Sequence, residues 1–263
     1  MNVLETNSLV AGYGARTVLR GIDLAIAEGE LVAVIGPNGS GKSTLVKCLS
    51  GFMKPREGEV LFRGRVIGSI SGRELARELS VVQQLVPDAP AFRVRDFVRM
   101  GRYPHRGLFE AETAADRDAV ARAAEMTGTV SLMDARLTEL SGGERQLVYL
   151  ARALAQSSRA VVLDEPVSHL DIAHAVRVMD VLREMHRGGA TVVAVLHDIN
   201  LASEYAGRII ALKEGRVFAD GAPAEVVNYQ TIEGLFDTVC VVTENPISKR
   251  PFTYPVPGHL RKE

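Results

Sequence analysis

The sequence predicts an α/β fold with a mostly parallel central β-sheet, antiparallel strands at the N-terminus and an inserted helical subdomain. Three observations carry this prediction. Short apolar, β-branched runs alternate with helical patterns, as in sheets that are covered by helices. The first two dozen residues instead resemble antiparallel strands around a Gly-rich turn. Residues from about 85 to 155 have helical patterns and lie between runs that belong to the main sheet.

The strands can be assigned in chain order. Four apolar runs predict buried strands: LVAVI (31–35), SVVQ (80–83), AVVLD (160–164) and TVVAVLH (191–197). VLETNSLVAGYG and VLRGIDLAI predict an antiparallel pair joined by a Gly-Tyr-Gly turn, and EVLFRGRVI (59–67) continues that pattern. The sheet is therefore expected to be parallel in its buried part and antiparallel at the N-terminus.

Helices are predicted in three places. KSTLVKCLSG (42–51) ends at Gly51, a common stop signal, and AETAADRDAVARAAEMTG (111–128) is rich in helix-forming alanine. After position 142, apolar residues recur at the spacing of one helix face: Leu147, Leu150, Ala151 and Leu154. These helices place the inserted subdomain before the strand at 160–164.

All 263 residues are predicted to form one domain with three parts. A catalytic core takes residues 1–84 and 156–222, the helical subdomain takes 85–155, and a short C-terminal extension takes 223–263. The extension combines a helical piece with a hairpin that turns near Asn245 and Pro246. Packing is its default role, and a regulatory role stays open.

Composition narrows the class of protein. Lys and Arg total 31 against 32 Asp and Glu, so the chain lacks the excess positive charge that nucleic-acid binding would favour. Cys48 and Cys240 lie in apolar surroundings and are interpreted as two buried thiols, with a disulfide as the alternative. No apolar run approaches the roughly 20 residues of a bilayer span. A partner must therefore bring the protein to any membrane at which it works.

A phosphate-binding loop stands at residues 36–44, directly after a predicted strand and before a predicted helix. GPNGSGKST fits the pattern G-x-x-x-x-G-K-[ST], in which backbone N–H groups and a helix N-terminus surround phosphate oxygens. Lys42 is expected to reach the β- and γ-phosphates, and the hydroxyl of Ser43 to bind Mg²⁺. The full set of expected phosphate contacts is Gly36, Pro37, Asn38, Gly39, Ser40, Gly41, Lys42, Ser43 and Thr44.

Two acidic residues follow a later buried strand. AVVLDEP (160–166) delivers Asp164 and Glu165 at its polar end. Asp164 is expected to hold Mg²⁺ through water, and Glu165 to polarise a water for in-line attack on the γ-phosphate. The sequence therefore predicts an ATP-hydrolysing P-loop NTPase of the RecA-like class.

Three further residues complete the predicted nucleotide site. Gln83 ends a strand, where its amide can bind Mg²⁺ or the attacking water. His197 closes TVVAVLH, where its imidazole can contact the γ-phosphate. Tyr13 can stack on adenine, because an aromatic face binds any base. Taken alone, Gln83 and His197 would more often be structural, so their assignment depends on the surrounding motifs.

LSGGERQ (140–146) begins a second helix with the features of an anion site. Ser141 and the N–H groups of Gly142 and Gly143 stand at its start, about a hundred residues after the first phosphate loop. Together with GPNGSGKST, AVVLDEP and SHLD (168–171), this motif resembles the nucleotide-binding subunit of ABC transporters, over residues 1 to about 222.

That resemblance explains the second helix start. In the family, two subunits face head to tail, and the signature loop of one binds the γ-phosphate held by the other. The resemblance therefore implies a homodimer that encloses ATP and Mg²⁺, with Asp171 at the dimer interface. It also implies that residues after Gln83 meet a permease. In that stretch, Arg93, Arg95, Arg99, Arg102 and Arg106 either form a solvated face or contact the permease.

GRYPHRG, PVSHLDIAH and the tail around TENPISKRPFTYPVP are similar to the ATPases of importers for ferric siderophores, haem and cobalamin. This branch implies two integral-membrane permease subunits, an indirect extracytoplasmic substrate-binding protein, and a peripheral location on the cytoplasmic face of the cell (inner) membrane. Val82, Leu147 and Val167 depart from the residues usual in that group. None of them removes a phosphate- or metal-contacting group.

Other functions weigh less. ATPases for DNA repair or chromosome organisation need long coiled-coil arms, and no sustained heptads lie between the two motifs. Ribosome-acting ATPases carry two cassettes in one chain, whereas this chain has one P-loop and one signature. A haem or cobalamin importer remains the alternative to a ferric siderophore importer, and an exporter subunit ranks below both.

Overall fold

The computed structural model describes residues 1–83, 91–107 and 110–260 of the chain. Its residues fall into two units, Met1–Gly68 with Val193–Glu263, and Ser69–Val192. The boundaries at 84/85, 155/156 and 222/223 that the sequence suggests stay predictions. No helix among the described residues is long and apolar enough to cross a membrane.

The first unit begins with an antiparallel sheet. Its strands are β1 (Asn2–Tyr13), β2 (Arg16–Ala27), β4 (Glu57–Phe62) and β5 (Arg65–Val66), in the order β2-β1-β4-β5. The predicted N-terminal antiparallel pair is therefore confirmed. The turn, however, uses Gly14 and Ala15, and Tyr13 is the last residue of β1. Gly14 has a φ of 50°, which glycine adopts at little cost.

A second sheet of this unit holds the phosphate-binding loop. Its strands are β10 (Arg216–Gly221), β9 (Arg208–Lys213), β3 (Leu31–Ile35) and the last three residues of β8 (Thr191–Val195), in that order. β3 pairs in parallel with β9 and every residue of it is buried, which explains its unbroken apolar run. Helix α1 (Lys42–Leu49) follows the loop, and Cys48 is buried within it.

The C-terminal part of this unit is a pair of short helices and a hairpin. Helices α8 (Pro223–Val226) and α9 (Tyr229–Phe236) precede β11 (Cys240–Glu244) and β12 (Pro251–Pro255), which pair antiparallel. The hairpin is attached to α7 (Ile199–Tyr205). The Asn200 side chain accepts from Thr253 N at 2.7 Å and donates to Thr253 O at 3.2 Å.

The second unit contains the other two parallel strands. β6 (Leu79–Val82) pairs in parallel with β7 (Ala160–Asp164). Gln83 therefore follows β6 instead of closing it, just as His197 lies two residues beyond the end of β8. Helices α2 (Gly72–Glu78) and α6 (Ile172–Arg187) belong to this unit.

The predicted helical segment of this unit is confirmed in its described residues. It contains α3 (Val94–Arg99), a 3₁₀ helix at Met100–His105, α4 (Ala114–Thr127) and α5 (Gly142–Ala155). Apolar side chains from α3, α4 and α5 share one core, of which Val98, Val148 and Ala151 are fully enclosed. The predicted stripe of α5 is buried at Leu147, Leu150 and Ala151 and partly buried at Leu154; of these, Ala151 and Leu154 belong to this core.

The five arginines of this segment do not form one exposed face. Arg102 is buried; its Nε donates to Asp116 at 2.9 Å and its Nη1 to the Ala155 carbonyl at 2.7 Å. Both sequence-based alternatives are therefore wrong for Arg102, which ties the 3₁₀ segment to α4 and to the end of α5. The neighbouring residues 84–90 lie outside the described residues.

The two cysteines are free and buried, so the prediction of separate thiols is confirmed. Burial raises the pKa of the Cys48 thiol to about 11, because the thiolate would lose its hydration. A thiol with such a pKa stays protonated near neutral pH and is a poor nucleophile.

Candidate functional site

The phosphate-binding loop is shaped by glycines that no other residue could replace. Gly36 has a φ of 149°, and a β-carbon there would lie 2.2 Å from the carbonyl oxygen of Leu212 on β9. Gly41 has a φ of 108°, and its β-carbon would meet Leu19 Cδ2 at 2.7 Å. The loop thus depends on close approach of β2 and β9 to its backbone.

The open side of the loop has the features of an anion site. A β-carbon on Gly39 would meet nothing within 4 Å, so the backbone is accessible there. Ser40 is buried, and its Oγ has no hydrogen-bond partner among the described residues. An accessible glycine backbone next to a buried hydroxyl fits the phosphate oxygens of a nucleotide.

Lys42 occupies the first position of α1 and is only 5% exposed. Its Nζ donates to the carbonyl oxygens of Gly36 at 2.8 Å and Pro37 at 3.0 Å. The ammonium group is therefore held at the mouth of the loop, where it can exchange a carbonyl acceptor for a phosphate oxygen. Ser43 and Thr44 follow in the same turn, half-buried and buried respectively, while Asn38 is exposed.

Tyr13 lies at the end of β1 and is 48% exposed. Its hydroxyl accepts from Lys47 Nζ at 3.1 Å, and that ammonium lies 5.4 Å from the ring centroid. Lys47 belongs to α1, so the tyrosine ring is anchored to the helix that begins at the phosphate-binding loop. An exposed, anchored ring suits base stacking.

The acidic pair stands where β7 ends. Asp164 is the last residue of β7 and is buried. Glu165 has a φ of 52°, a left-handed conformation that is uncommon for a residue other than glycine. Its carboxylate accepts from Ser168 Oγ at 3.0 Å, which ties it to the loop that follows. Non-glycine residues with such backbone strain are concentrated at functional sites.

Gln83 and His197 are both exposed and lie in coil beyond strand ends. His197 directly precedes Asp198, which caps α7 by accepting from Asn200 N at 2.8 Å and Leu201 N at 3.0 Å. The imidazole thus stands at a backbone position that is fixed by a helix cap.

The signature turn forms a capping box at the start of α5. Ser141 Oγ accepts from Glu144 N at 3.3 Å and donates to Glu144 Oε2 at 2.7 Å, while Ser141 N donates to the same carboxylate at 2.9 Å. Hydrogen bonds from Ser141 hold the pKa of Glu144 below its usual value, with a smaller contribution from the charge of His174. A β-carbon on Gly142 would meet nothing within 4 Å, so its N–H lies in an open turn.

Asp171 and the signature turn meet at His174. Asp171 caps α6 by accepting from His174 N at 2.8 Å, and its carboxylate also contacts His174 Nδ1 at 2.9 Å. The same imidazole lies against Gly143, where a β-carbon would be only 2.3 Å from His174 Cδ2. Within Ser69–Val192, the structure therefore brings two predicted functional segments together.

Sequence reasoning missed three of these contact residues. Glu144 was recognisable, because Ser-x-x-Glu before an apolar helical stripe is the pattern of a capping box. Ser168 and His174 carry no local signal of their roles. Their contacts depend on the loop after β7 and on how α6 lies against α5, which residue spacing does not specify.

Comparisons with known proteins agree with this geometry. A family model described as "ABC transporter" matches residues 19–168. The ferric enterobactin transport ATP-binding protein FepC of Escherichia coli (strain K12) is 39% identical over 254 residues, which are 96% of this chain and 94% of the relative. The probable siderophore transport system ATP-binding protein YusV of Bacillus subtilis (strain 168) is 38% identical, over 97% of this chain and 93% of the relative.

Among solved structures, an inward-facing conformation of a metal-chelate type ABC transporter has a TM-score of 0.85 at 26% identity. The match covers 99% of both chains.

Proposed function

Because this chain belongs to the ABC transporter family, we propose that it is the ATP-hydrolysing subunit of an importer that energises the uptake of a ferric siderophore. One observation carries the proposal: the N-termini of two separate helices have the features of anion sites. One helix begins at Lys42, and the other is capped by Ser141. The choice of cargo is supported by the names of two relatives, which describe them as ATP-binding proteins for siderophore transport and for ferric enterobactin transport.

The first helix start binds the triphosphate of ATP. The backbone of residues 36–41 surrounds the phosphates, and Lys42 donates to the β- and γ-phosphate oxygens. The Ser43 hydroxyl and Asp164, the latter through water, hold Mg²⁺ together with Gln83. When bound, this ion neutralises charge on the β- and γ-phosphate oxygens. Tyr13 stacks on the adenine.

Hydrolysis depends on a water that is oriented for in-line attack. Glu165 polarises this water, Gln83 orients it, and His197 contacts the γ-phosphate. The hydrogen bond from Ser168 fixes the Glu165 carboxylate in the loop after β7. Preorganisation of this kind lowers the cost of reaching the transition state.

The second helix start serves the nucleotide of another copy. Ser141 and the N–H groups of Gly142 and Gly143 complete a site around the γ-phosphate in an ATP-bound homodimer, with Asp171 at the interface. Loss of the γ-phosphate removes the ligand that both copies share, so the dimer opens after hydrolysis. The cycle of closing and opening drives two integral-membrane permease subunits, to which a substrate-binding protein delivers cargo from outside.

This assembly places the protein on the cytoplasmic face of the cell membrane, as a peripheral subunit. A haem or cobalamin importer uses the same ATP chemistry, since the ATPase contacts nucleotide and permease but never the cargo. The two possibilities are separated by the uptake experiment below.

Glu165→Gln tests the ATPase. We expect the variant to bind MgATP and to hydrolyse it at least about a hundredfold more slowly, because a general base contributes that much or more. The ATP-bound variant should elute as a dimer in size-exclusion chromatography. Glu184→Gln, which changes an exposed glutamate at the end of α6, is the matched control and should turn over normally. Brisk turnover by Glu165→Gln would contradict the assigned role.

Uptake by whole cells tests the cargo. Cells that carry the native protein or Glu165→Gln receive labelled ferric siderophore, haem and cobalamin in parallel. Selective loss of ferric siderophore uptake is expected. Selective loss of haem or cobalamin would assign the alternative cargo, and unchanged uptake of all three would refute this branch while leaving the ATPase intact.

A further inference from the structure

The imidazole of His174 contacts both the signature turn and Asp171, which the proposed function assigns to the dimer interface. His174 lies in the first turn of α6, with a side chain that is 35% exposed. On one side its Nδ1 lies 2.9 and 3.0 Å from the two carboxylate oxygens of Asp171. On the other side its ring lies against Gly143 in the signature turn.

The contact with Gly143 is too close for any other residue at that position. A β-carbon there would lie 2.3 Å from Cδ2, 2.4 Å from Cγ and 2.8 Å from Nε2 of His174. Either the imidazole would have to leave its place or the backbone of the turn would have to move. By contrast, the preceding Gly142 has open space around it. The imidazole therefore sets how near the second signature glycine lies to the start of α6.

The contact with Asp171 fixes a carboxylate that would otherwise rotate freely in solvent. The Asp171 side chain is 66% exposed, yet it accepts from both the backbone N–H and the ring of His174. The backbone hydrogen bond, and then the side-chain hydrogen bond, hold the pKa of Asp171 below its usual value. A second carboxylate, Glu144 of the capping box, also feels the charge of His174. The two carboxylates, Asp171 and Glu144, therefore stabilise the imidazole in its position against Gly143.

We infer that His174 is a positioning residue, which locks the Asp171 carboxylate and the Gly143 N–H into one unit that is presented to the nucleotide of a second copy. This inference rests on the proposed function. His174 acts on closure of the dimer and on the turnover of ATP, and does not affect the initial binding of ATP by the phosphate loop. Two features of the side chain are needed: a hydrogen-bond donor at the Nδ1 position and a flat group against Gly143.

Two substitutions isolate the donor. Both keep a planar group at Cγ, but His174→Asn keeps an N–H donor where Nδ1 stands and His174→Phe has none. For His174→Phe we expect a kcat for ATP hydrolysis about tenfold lower, the size of one lost hydrogen bond, with an unchanged Kd for ATP. His174→Asn should stay within about twofold of the native kcat. His186→Phe, the same change in the last turn of α6, is the control and should keep the native kcat.

A double-mutant cycle between positions 143 and 174 measures the coupling between Gly143 and His174 directly. Gly143→Ala should abolish turnover in the native background, and should cost less in a His174→Ala background because the colliding ring is gone. Equal costs in both backgrounds, a native kcat for His174→Phe, or equal losses for His174→Asn and His174→Phe would each overturn the inference.

The control for the proposed function itself is dimer formation by Glu165→Gln with ATP. If that variant forms no dimer, the shared site fails and the role of His174 fails with it. If it dimerises and His174→Phe turns over at the native rate, only the role of His174 is overturned.

Discussion

At the scale of single residues, the phosphate loop shows how a charged side chain can be buried before its ligand binds. Lys42 is 5% exposed, and the carbonyl oxygens of Gly36 and Pro37 accept its hydrogen bonds. A buried ammonium needs such partners, because loss of hydration is otherwise costly. These neutral acceptors are weaker than a phosphate oxygen, so the ammonium can exchange one of them for the nucleotide.

Lys42→Ala tests this residue. We expect the affinity for ATP to fall by a factor of about 10 to 100, since a hydrogen bond to a charged group contributes roughly 1.5–3 kcal/mol. Equilibrium binding of labelled ATP to the purified protein measures the change. Lys54→Ala, which removes an exposed lysine after α1, is the control and should bind normally. Native affinity in Lys42→Ala would refute the assignment.

At the scale of elements, the 3₁₀ segment at Met100–His105 depends on one buried ion pair. Arg102 Nε contacts Asp116 Oδ1 at 2.9 Å, and Asp116 also closes the capping box of α4 with Thr113. The side-chain hydrogen bond from Arg102, followed by the backbone hydrogen bond from Thr113, lowers the pKa of Asp116 from 3.8 to about 2. One carboxylate therefore joins the segment to the start of α4.

Arg102→Ala should lower the free energy of unfolding by about 3 kcal/mol, because it leaves a buried carboxylate without its partner. The pair stabilises the fold fully above pH 3.8, and this contribution disappears as the pH falls towards 2. The difference in stability between native protein and variant should therefore shrink over that range. Urea unfolding at several pH values measures it. Arg99→Ala, which removes the ion pairs of an exposed arginine with Asp96 and with the half-buried Glu112, is the control and should cost less than about 1 kcal/mol. A difference that does not vary with pH would contradict this account.

The C-terminal hairpin is held by polar contacts to α7. Besides the pairing of Asn200 with Thr253, Ser203 Oγ donates to the Pro251 carbonyl at 2.6 Å. Arg250 Nη1 donates to the carbonyls of Ser203 and Ala206 at 2.6 and 2.7 Å, and so satisfies acceptors at the C-terminal end of α7. These contacts pack the tail against α7.

Asn200→Ala should loosen β12, because its amide pairs with both the N–H and the carbonyl of Thr253. We expect a loss of about 1–3 kcal/mol, seen as faster hydrogen exchange in Pro251–Pro255. Gln230→Ala, whose side chain donates to the neighbouring Tyr229 hydroxyl, should leave exchange unchanged. Equal protection in both variants would show that apolar contacts hold the hairpin instead.

At the scale of the whole molecule, the chain carries two anion sites that differ in design. The site at Lys42 has a buried cation and a curled glycine backbone, so we expect it to bind a nucleotide without another copy. The site at Ser141 offers a helix start and an open turn, while the Ser141 hydroxyl is already engaged with Glu144. A helix start without a cation adds only a modest share of binding energy, so we propose that the second site depends on the first site of another copy.

Ser141→Arg tests that dependence. ATP binding to the monomer should remain native, while ATP-driven dimerisation and hydrolysis are lost, because a long cation fills the turn and the capping box is broken. Size-exclusion chromatography with ATP in a Glu165→Gln background, together with the hydrolysis rate of Ser141→Arg alone, measures both effects. Normal hydrolysis by Ser141→Arg would refute the shared site.

Much of the fold and of the motifs could be predicted from local sequence, because the signals are local. The burial of β3, the start of α1 at Lys42 and the apolar face of α5 each follow from side chains that are close in sequence. The misplacements were small: Tyr13 belongs to β1, and Gln83 and His197 lie past the strands that they were expected to close. Strand ends are set by backbone pairing, which the apolar pattern does not mark.

By itself, the sequence determined the class of fold, the phosphate loop, the acidic pair and the signature helix, since each is a contiguous motif whose backbone geometry its own residues specify. Only the tertiary structure decided that Arg102 is a buried anchor and that His174 bridges Asp171 and Gly143. Apart from the local pair of Asp171 with His174, these contacts join residues that are far apart in the sequence. There a polar side chain looks the same in sequence whether it meets water or a partner. Burial and partner choice belong to the packed chain, because they arise only when distant segments exclude water together.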